Sequence, residues 1–252
     1  MLPGSAFWLS VVALFGLIIG SFLNVLILRI PAGQSIVTAP SHCLSCGKRL
    51  KWYELIPLFS WIFLRGRCSG CKKPISAQYP LIEAATGIAF VLIYVRFGFS
   101  LETLFYCSMT SALLALSVID FRTFEIPDGF SVFLLAVGAV RVATDLSNWL
   151  LYAIGFFAVS LLLLIILLAS GGRGVGGGDV KLMAVCGLIL GWKLILLAFV
   201  IGCILGSVIH LIRMAVKGEG STLALGPYLS AGVFAAVLWG GYIINWYLGM
   251  FI

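Results

Sequence analysis

The sequence predicts an all-α polytopic membrane protein of about eight transmembrane helices, with a small cytoplasmic loop domain after the first. Three observations carry that expectation. The 252 residues are 62% hydrophobic and 10% charged, whereas a soluble globular domain carries about 25% charged residues; mean hydropathy is +1.16. Apolar runs of the roughly 17–25 residues that a bilayer helix needs recur along almost the whole chain. The basic residues also fall unevenly, in a way that a simple alternation of spans explains.

The spans read, in order, as 6–29, 80–97, 101–119, 126–144, 148–170, 179–191, 193–216 and 228–250. The first run, Ala6 to Leu28, is too long for a signal-peptide core and lacks a basic start and a small-residue cleavage site, so it is expected to remain as a span. The sixth is short and opens on Asp179, which places its first turn in a water-accessible recess. Glycine and proline inside several runs do not argue against helix, because membrane helices tolerate them.

With eight spans, all 16 Lys and Arg except Arg96, Arg141 and Lys193 fall on one side. The positive side is the cytoplasmic one, so the expected topology puts loop 31–79 in the cytoplasm and both termini outside. The net charge of +7 is thereby assigned to membrane orientation, with the lipid bilayer as partner and no nucleic acid. Three parts follow: a first transmembrane helix (1–30), the cytoplasmic loop domain (31–79) and a seven-helix membrane core (80–252).

The loop is polar and basic and holds four of the seven cysteines. Cys43-Leu-Ser-Cys46 and Cys68-Ser-Gly-Cys71 form a paired CxxC, a spacing suited to tetrahedral zinc. Two disulfides are the alternative, but a cytoplasmic loop lies in a reducing compartment. Four thiolates leave no open coordination position, so the expected Zn2+ is structural. A loop this small buries little core, and a metal would hold it together. His42 adjoins Cys43 and reads as a bystander. Cys107, Cys186 and Cys203 lie within spans and read as small apolar packing residues.

Charge at the end of a span is costly and marks functional candidates. Asp120 closes the third span and Asp179 opens the sixth, both on the cytoplasmic side at similar depth. Two carboxylates sharing a site do not both ionise easily, so one keeps a proton while the other stays a base. Hydrolysis by an activated water needs that division. Each aspartate also has a plainer reading: Asp120 neutralised by Arg122, and Asp179 capping its helix. The Gly174-Val-Gly176-Gly-Gly178-Asp179 context favours catalysis, since glycines admit an extended substrate backbone and backbone angles closed to other residues. Gly172-Arg-Gly174-Val-Gly-Gly177 matches a dinucleotide fingerprint, but it follows an apolar helix rather than a strand and carries no such meaning.

These residues resemble the type IV prepilin peptidases, aspartyl proteases of the Gly-x-Gly-Asp type, many of them bifunctional leader peptidase/N-methyltransferases. The matching segments are Gly20-Ser-Phe-Leu-Asn24 through Pro31, the two CxxC knuckles, Leu50 through Pro57 with Ser60-Trp61, Gln78-Tyr79-Pro80 through Glu83, Asp120 through Asp128, and Gly174 through Leu182. The resemblance implies that Asp120 and Asp179 are the catalytic pair in a membrane protease core. It also implies cleavage of a basic leader from prepilin or pseudopilin precursors, C-terminal to a glycine at the cytoplasmic face of the bacterial inner membrane. N-methylation of the new terminus with S-adenosylmethionine would follow. The family's first Cys-Pro-x-Cys has Leu44 for proline, and its late Pro-Phe-Gly-Pro appears as Ala224-Leu225-Gly226-Pro227; neither departure is expected to touch a ligand or an aspartate.

Positive charge on the cytoplasmic side would repel a basic leader unless acids receive it. Glu125 and Asp128 are candidates close to Asp120, with Gly176 and Gly178 as backbone contacts; Glu54 and Glu83 stand at the loop edge, and Glu219 is on the same side. The plainer reading pairs these acids with nearby bases. No methyl-transfer residue is identified, and loop 31–79 is too small for a soluble methyltransferase fold. The donor is therefore expected at that loop, at the membrane surface, or at both. A transporter or assembly scaffold with a zinc-stabilised loop is the rival from another class, because paired carboxylates also relay protons; the glycine run before Asp179 is not something transport requires.

Overall fold

A computed structural model describes residues 3–37, 40–217 and 223–250; Glu219 lies outside them. The chain forms two compact units, Met1–Thr103 and Leu104–Ile252. Among the described residues the regular structure is helical, and the β pairing is limited to two isolated bridges, His42–Arg49 and Arg67–Pro74.

The first unit is built on α1 (Pro3–Arg29) and α3 (Gln78–Phe97), with the cysteine loop and the short α2 (Phe59–Phe63) between them in sequence. The two long helices approach closely because glycines face the crossing. A Cβ on Gly16 would stand 2.8 Å from the Gly87 Cα, and one on Gly20 would stand 2.7 Å from the Glu83 Cα. Small residues four apart permit such approach between membrane helices, where packing replaces the hydrophobic effect as the driving force. Asn24, 1% exposed, ties the same pair at one end. Its amide donates to the Tyr79 carbonyl at 3.1 Å and accepts from the Gln78 amide at 3.2 Å. Pro80 sits in the first turn of α3, where its missing N–H costs nothing, and Gly98, at φ +64°, ends the helix by donating to the Tyr94 carbonyl.

The second unit holds α4 (Leu101–Thr123, begun in the first unit), α5 (Asp128–Thr144), α6 (Trp149–Ala158), α7 (Ser160–Ala169), α8 (Gly177–Leu190), α9 (Trp192–Lys217) and α10 (Gly226–Leu248). Helix α8 runs through its interior, packed by α5, α6, α7 and α9. Gly187 and Gly155 bring α8 onto α6, since a side chain on Gly187 would fall on the Gly155 carbonyl.

Among the described residues, six stretches are long and apolar enough to cross a membrane: Ala6–Arg29, Gln78–Phe97, Leu101–Thr123, Leu146–Ala169, Trp192–Val216 and Gly226–Leu248. The protein is a multi-pass membrane protein. Helices α6 and α7, separated at Val159, together make the fourth of these. The two other sequence-expected spans are the shorter α5 and α8, of 17 and 14 residues. At 1.5 Å per residue α8 is about 21 Å long, against a hydrocarbon core of about 30 Å. Its N-terminus is fixed by the glycine run and its C-terminus by Gly191 at φ +78°.

Candidate functional site

The second unit brings Asp120 and Asp179 together. Asp120 lies in the last turns of α4 and is 5% exposed; Asp179 lies in the first turn of α8 and is 8% exposed. The two carboxylates are within electrostatic reach of each other, despite their separation in sequence. Among the described residues neither forms an ion pair, so the plainer reading of Asp120, neutralised by Arg122, does not hold. Buried acids usually have a cation or several hydrogen bonds; these two share a site with very few of either.

Each is oriented by a glycine amide. The Gly226 N–H donates to Asp120 Oδ2 at 2.9 Å, and the Gly176 N–H donates to Asp179 Oδ2 at 3.3 Å. The second bond is part of a helix cap, with the Asp179 N–H returning to the Gly176 carbonyl at 3.2 Å. The capping reading of Asp179 is thus realised, and the cap fixes the orientation of its carboxylate. The first bond corrects an expectation: the 224–227 segment does touch an aspartate. Gly226 also leaves room for the carboxylate, because a Cβ there would lie 2.6 Å from Asp120 Oδ2 and push it aside. Sequence reading missed it because the bond joins residues 106 apart; the only signal was the family-like Gly226-Pro227 at the head of α10.

The glycines before Asp179 have distinct surroundings. A Cβ on Gly176 would be 3.2 Å from Asp179 Oδ2, and one on Gly178 would be 2.9 Å from the Ile126 Cβ. Gly177 has open space where its Cβ would be. Left-handed backbone occurs in this run only at Gly171 and Gly172. Gly176 therefore makes room for the carboxylate, and Gly178 lets α8 seat against the chain entering α5.

Of the other acids, Glu125 is exposed, and Asp128 pairs with Lys181 Nζ at 2.8 Å with both side chains more than half exposed. Such a pair contributes about 0–1 kcal/mol.

The four cysteines of the first unit converge. Their sulfurs all lie within 4.8 Å of one another, and Cys43 Sγ to Cys71 Sγ is 4.0 Å. Tetrahedral Zn–S bonds of about 2.3 Å put sulfurs about 3.8 Å apart, so the donor set and its spacing fit a four-thiolate metal site. The two knuckles have the same geometry. The Cys43 N–H donates to the Lys48 carbonyl and the Cys68 N–H to the Lys73 carbonyl, each at 2.9 Å. The residue after each second cysteine, Gly47 or Lys72, takes a left-handed conformation at φ +70° or +60°. Backbone N–H groups of Cys71 and Gly70 pull the Cys68 thiol down to about 6, towards the thiolate that binds metal. His42 turns to the Pro40 carbonyl at 3.1 Å.

Glu54 braces this cluster and is not an acid displayed at the loop edge. It is 7% exposed, pairs with Lys48 Nζ at 3.1 Å, accepts the Lys51 N–H at 2.8 Å, and receives the Ser69 hydroxyl between the second pair of cysteines.

Comparison with known proteins finds family matches in both units. Residues 14–97 match the bacterial peptidase A24 N-terminal domain, and residues 107–211 match the type IV leader peptidase family; the latter stretch contains both aspartates. The chain is 36% identical to the prepilin leader peptidase/N-methyltransferase of Bacillus subtilis (strain 168), over 96% of this chain and 98% of that protein. It is 34% identical to the protein of that name from Xanthomonas campestris pv. campestris, over 98% and 96%, and 31% identical to that of Pseudomonas aeruginosa, over 93% and 91%. No solved structure matches the chain significantly. Matched along nearly its whole length by relatives of the same description, the chain belongs to the type IV leader peptidase family.

Proposed function

We propose that this chain cleaves the basic leader from prepilin or pseudopilin precursors, C-terminal to a glycine, and methylates the amino terminus it exposes with S-adenosylmethionine as donor. The observation that carries the proteolytic half is the pair Asp120 and Asp179: two buried carboxylates in electrostatic reach, without cations, each held by one glycine amide. Of such a pair one stays protonated and the other ionised. The ionised group takes a proton from water as its oxygen adds to the scissile carbonyl. The protonated group donates to that carbonyl, and the proton taken from water passes to the leaving amine as the C–N bond breaks. Gly177, with open space where its Cβ would be, leaves the N-terminal turn of α8 slim near Asp179, which suits an extended peptide.

Cys43, Cys46, Cys68 and Cys71 would hold Zn2+. With four thiolates the metal has no open position and would be structural, fixing loop 31–79. The reading places the protein in the bacterial inner membrane with that loop cytoplasmic and both termini outside. This alternation counts α5 and α8 as spans, so α8 starts below the surface and sets Asp179 in a recess open to water. Glu125 is positioned to meet a leader charge near Asp120; Asp128 shares that task only by giving up Lys181.

Incubating the purified protein with a synthetic prepilin and labelled methyl donor, and scoring cleavage and methyl incorporation separately, tests the proposal. Both products are expected; absence of cleavage under conditions in which a relative processes the same substrate overturns it.

A further inference from the structure

In the first unit, the cysteine loop and the adjoining ends of α1 and α3 enclose a cavity of about 400 Å³. Small-molecule sites occupy roughly 300–1,000 Å³ and combine apolar walls with a few convergent polar groups. Here Leu55, Trp61 and Leu64 supply apolar wall, while Arg29 and Glu83 also line the space. The Trp61 indole is fixed, its Nε1 donating to the Ile75 carbonyl at 3.3 Å and its ring covering Gly66. Arg29 is 9% exposed and held by the Ser35 carbonyl at 3.2 Å.

Glu83 is the informative residue. It is 6% exposed and accepts hydrogen bonds from the Leu58 N–H at 2.7 Å and from the Ser21 hydroxyl, yet among the described residues it forms no ion pair. Glu54 also lines the cavity, but Lys48 already neutralises it. The hydrogen bonds to Glu83 hold its carboxylate but leave it no counter-charge, and a buried carboxylate facing a cavity gains one when a cationic ligand enters.

We infer that this cavity binds the methyl donor, with its adenine on Trp61, its cationic sulfonium and ammonium near Glu83, and its carboxylate towards Arg29. The inference rests on the methyl-transfer half of the proposed function. A zwitterion with an added positive sulfur and a flat aromatic base matches a site of this size, lined by both apolar and ionic side chains. It also gives the cysteine loop a purpose beyond its own folding, since the loop forms much of the wall.

Equilibrium dialysis of the purified full chain in detergent, with labelled S-adenosylmethionine and S-adenosylhomocysteine, tests it. The second ligand is a neutral thioether. Glu83→Gln removes one charged contact, so it should weaken S-adenosylmethionine by about tenfold or more and S-adenosylhomocysteine by less. Ser60→Trp, which fills the cavity from α2, should weaken both. Metal content and thermal unfolding report whether each variant keeps its fold. Should folded, metal-loaded variants bind both ligands as the wild type does, the cavity is not the donor site. A raised KM for charged leaders with unchanged donor binding assigns Glu83 to the leader and overturns the inference. A wild type that cleaves leader but binds neither ligand removes the methyl-transfer reading itself. Should the variants not fold, photolabelling of the wild type with an azidoadenosyl donor analogue is expected to mark residues 41–64; labelling confined elsewhere overturns the assignment.

Discussion

Gly226→Ala is a one-carbon change whose consequence follows from the site. The added Cβ would lie 2.6 Å from Asp120 Oδ2 and 3.2 Å from its Cγ, where ordinary contact begins at 3.4 Å. Relief by the carboxylate alone requires a displacement of about 0.8 Å, and the movement also stretches the 2.9 Å bond from the Gly226 amide. A misplacement of about 1 Å costs on the order of 100-fold in rate, so kcat for leader cleavage should fall by roughly that factor. KM should change little, because no leader contact is lost. Gly241→Ala is the matched control: it lies on the same helix, has nothing within 4 Å of its Cβ, and gains up to about 1 kcal/mol of helix propensity. The assay is steady-state cleavage of a synthetic prepilin in detergent, with thermal unfolding measured alongside. If Gly226→Ala folds normally and cleaves within a few-fold of the wild type, Asp120 is not positioned by this amide and the account of the site is wrong.

Other expectations bear on separate parts of the molecule. Metal analysis should find about one zinc per chain, as a four-thiolate site requires, and replacing Cys43 and Cys46 together with serine should remove it; retained metal, or thiols found oxidised in pairs, contradicts this. Glu54 is held down to about 2, first by the Lys51 N–H and then by Ser69. Its folded value is depressed, so its contribution is complete above the ordinary carboxylate range and is lost only as pH falls towards 2. Glu54→Gln should therefore speed zinc loss to a chelator at neutral pH, and unchanged release rates would remove Glu54 from the brace. Glu125→Gln should raise KM for a leader carrying Lys or Arg more than for a neutral one. Asp128→Asn should do so less, because Lys181 already occupies Asp128; equal effects on both leaders would make these acids structural.

Much of this was legible in the sequence because its physical basis is local. Apolar runs set the long helices, and the CxxC spacing set which sulfurs meet. Asp120 and Asp179 stood out because charge at a span end is expensive. What was not legible depends on contacts between distant segments. Nothing near Gly226 in sequence announces Asp120, and the bond exists only because the head of α10 is folded against the end of α4. Glu54 looks like a surface acid in a basic loop, yet Lys48 and Ser69 enclose it once the knuckles close. The shortness of the sixth span, by contrast, was legible, because its apolar run opens on Asp179, and α8 is indeed confined between Gly176 and Gly191. The glycines before Asp179 were expected to serve unusual backbone angles; their surroundings instead give Gly176 and Gly178 a packing role.

Whether Asp120 and Asp179 act as a catalytic pair, separately from methyl transfer, is tested most directly by their asparagine variants. Asp120→Asn and Asp179→Asn are nearly isosteric and keep an acceptor for the Gly226 and Gly176 amides. Each purified variant would be given intact prepilin and, in parallel, a peptide already beginning at the mature terminus, both with labelled S-adenosylmethionine. Each variant should leave the intact precursor uncleaved while still labelling the mature terminus and retaining its metal. Cleavage above trace by either variant would contradict the account.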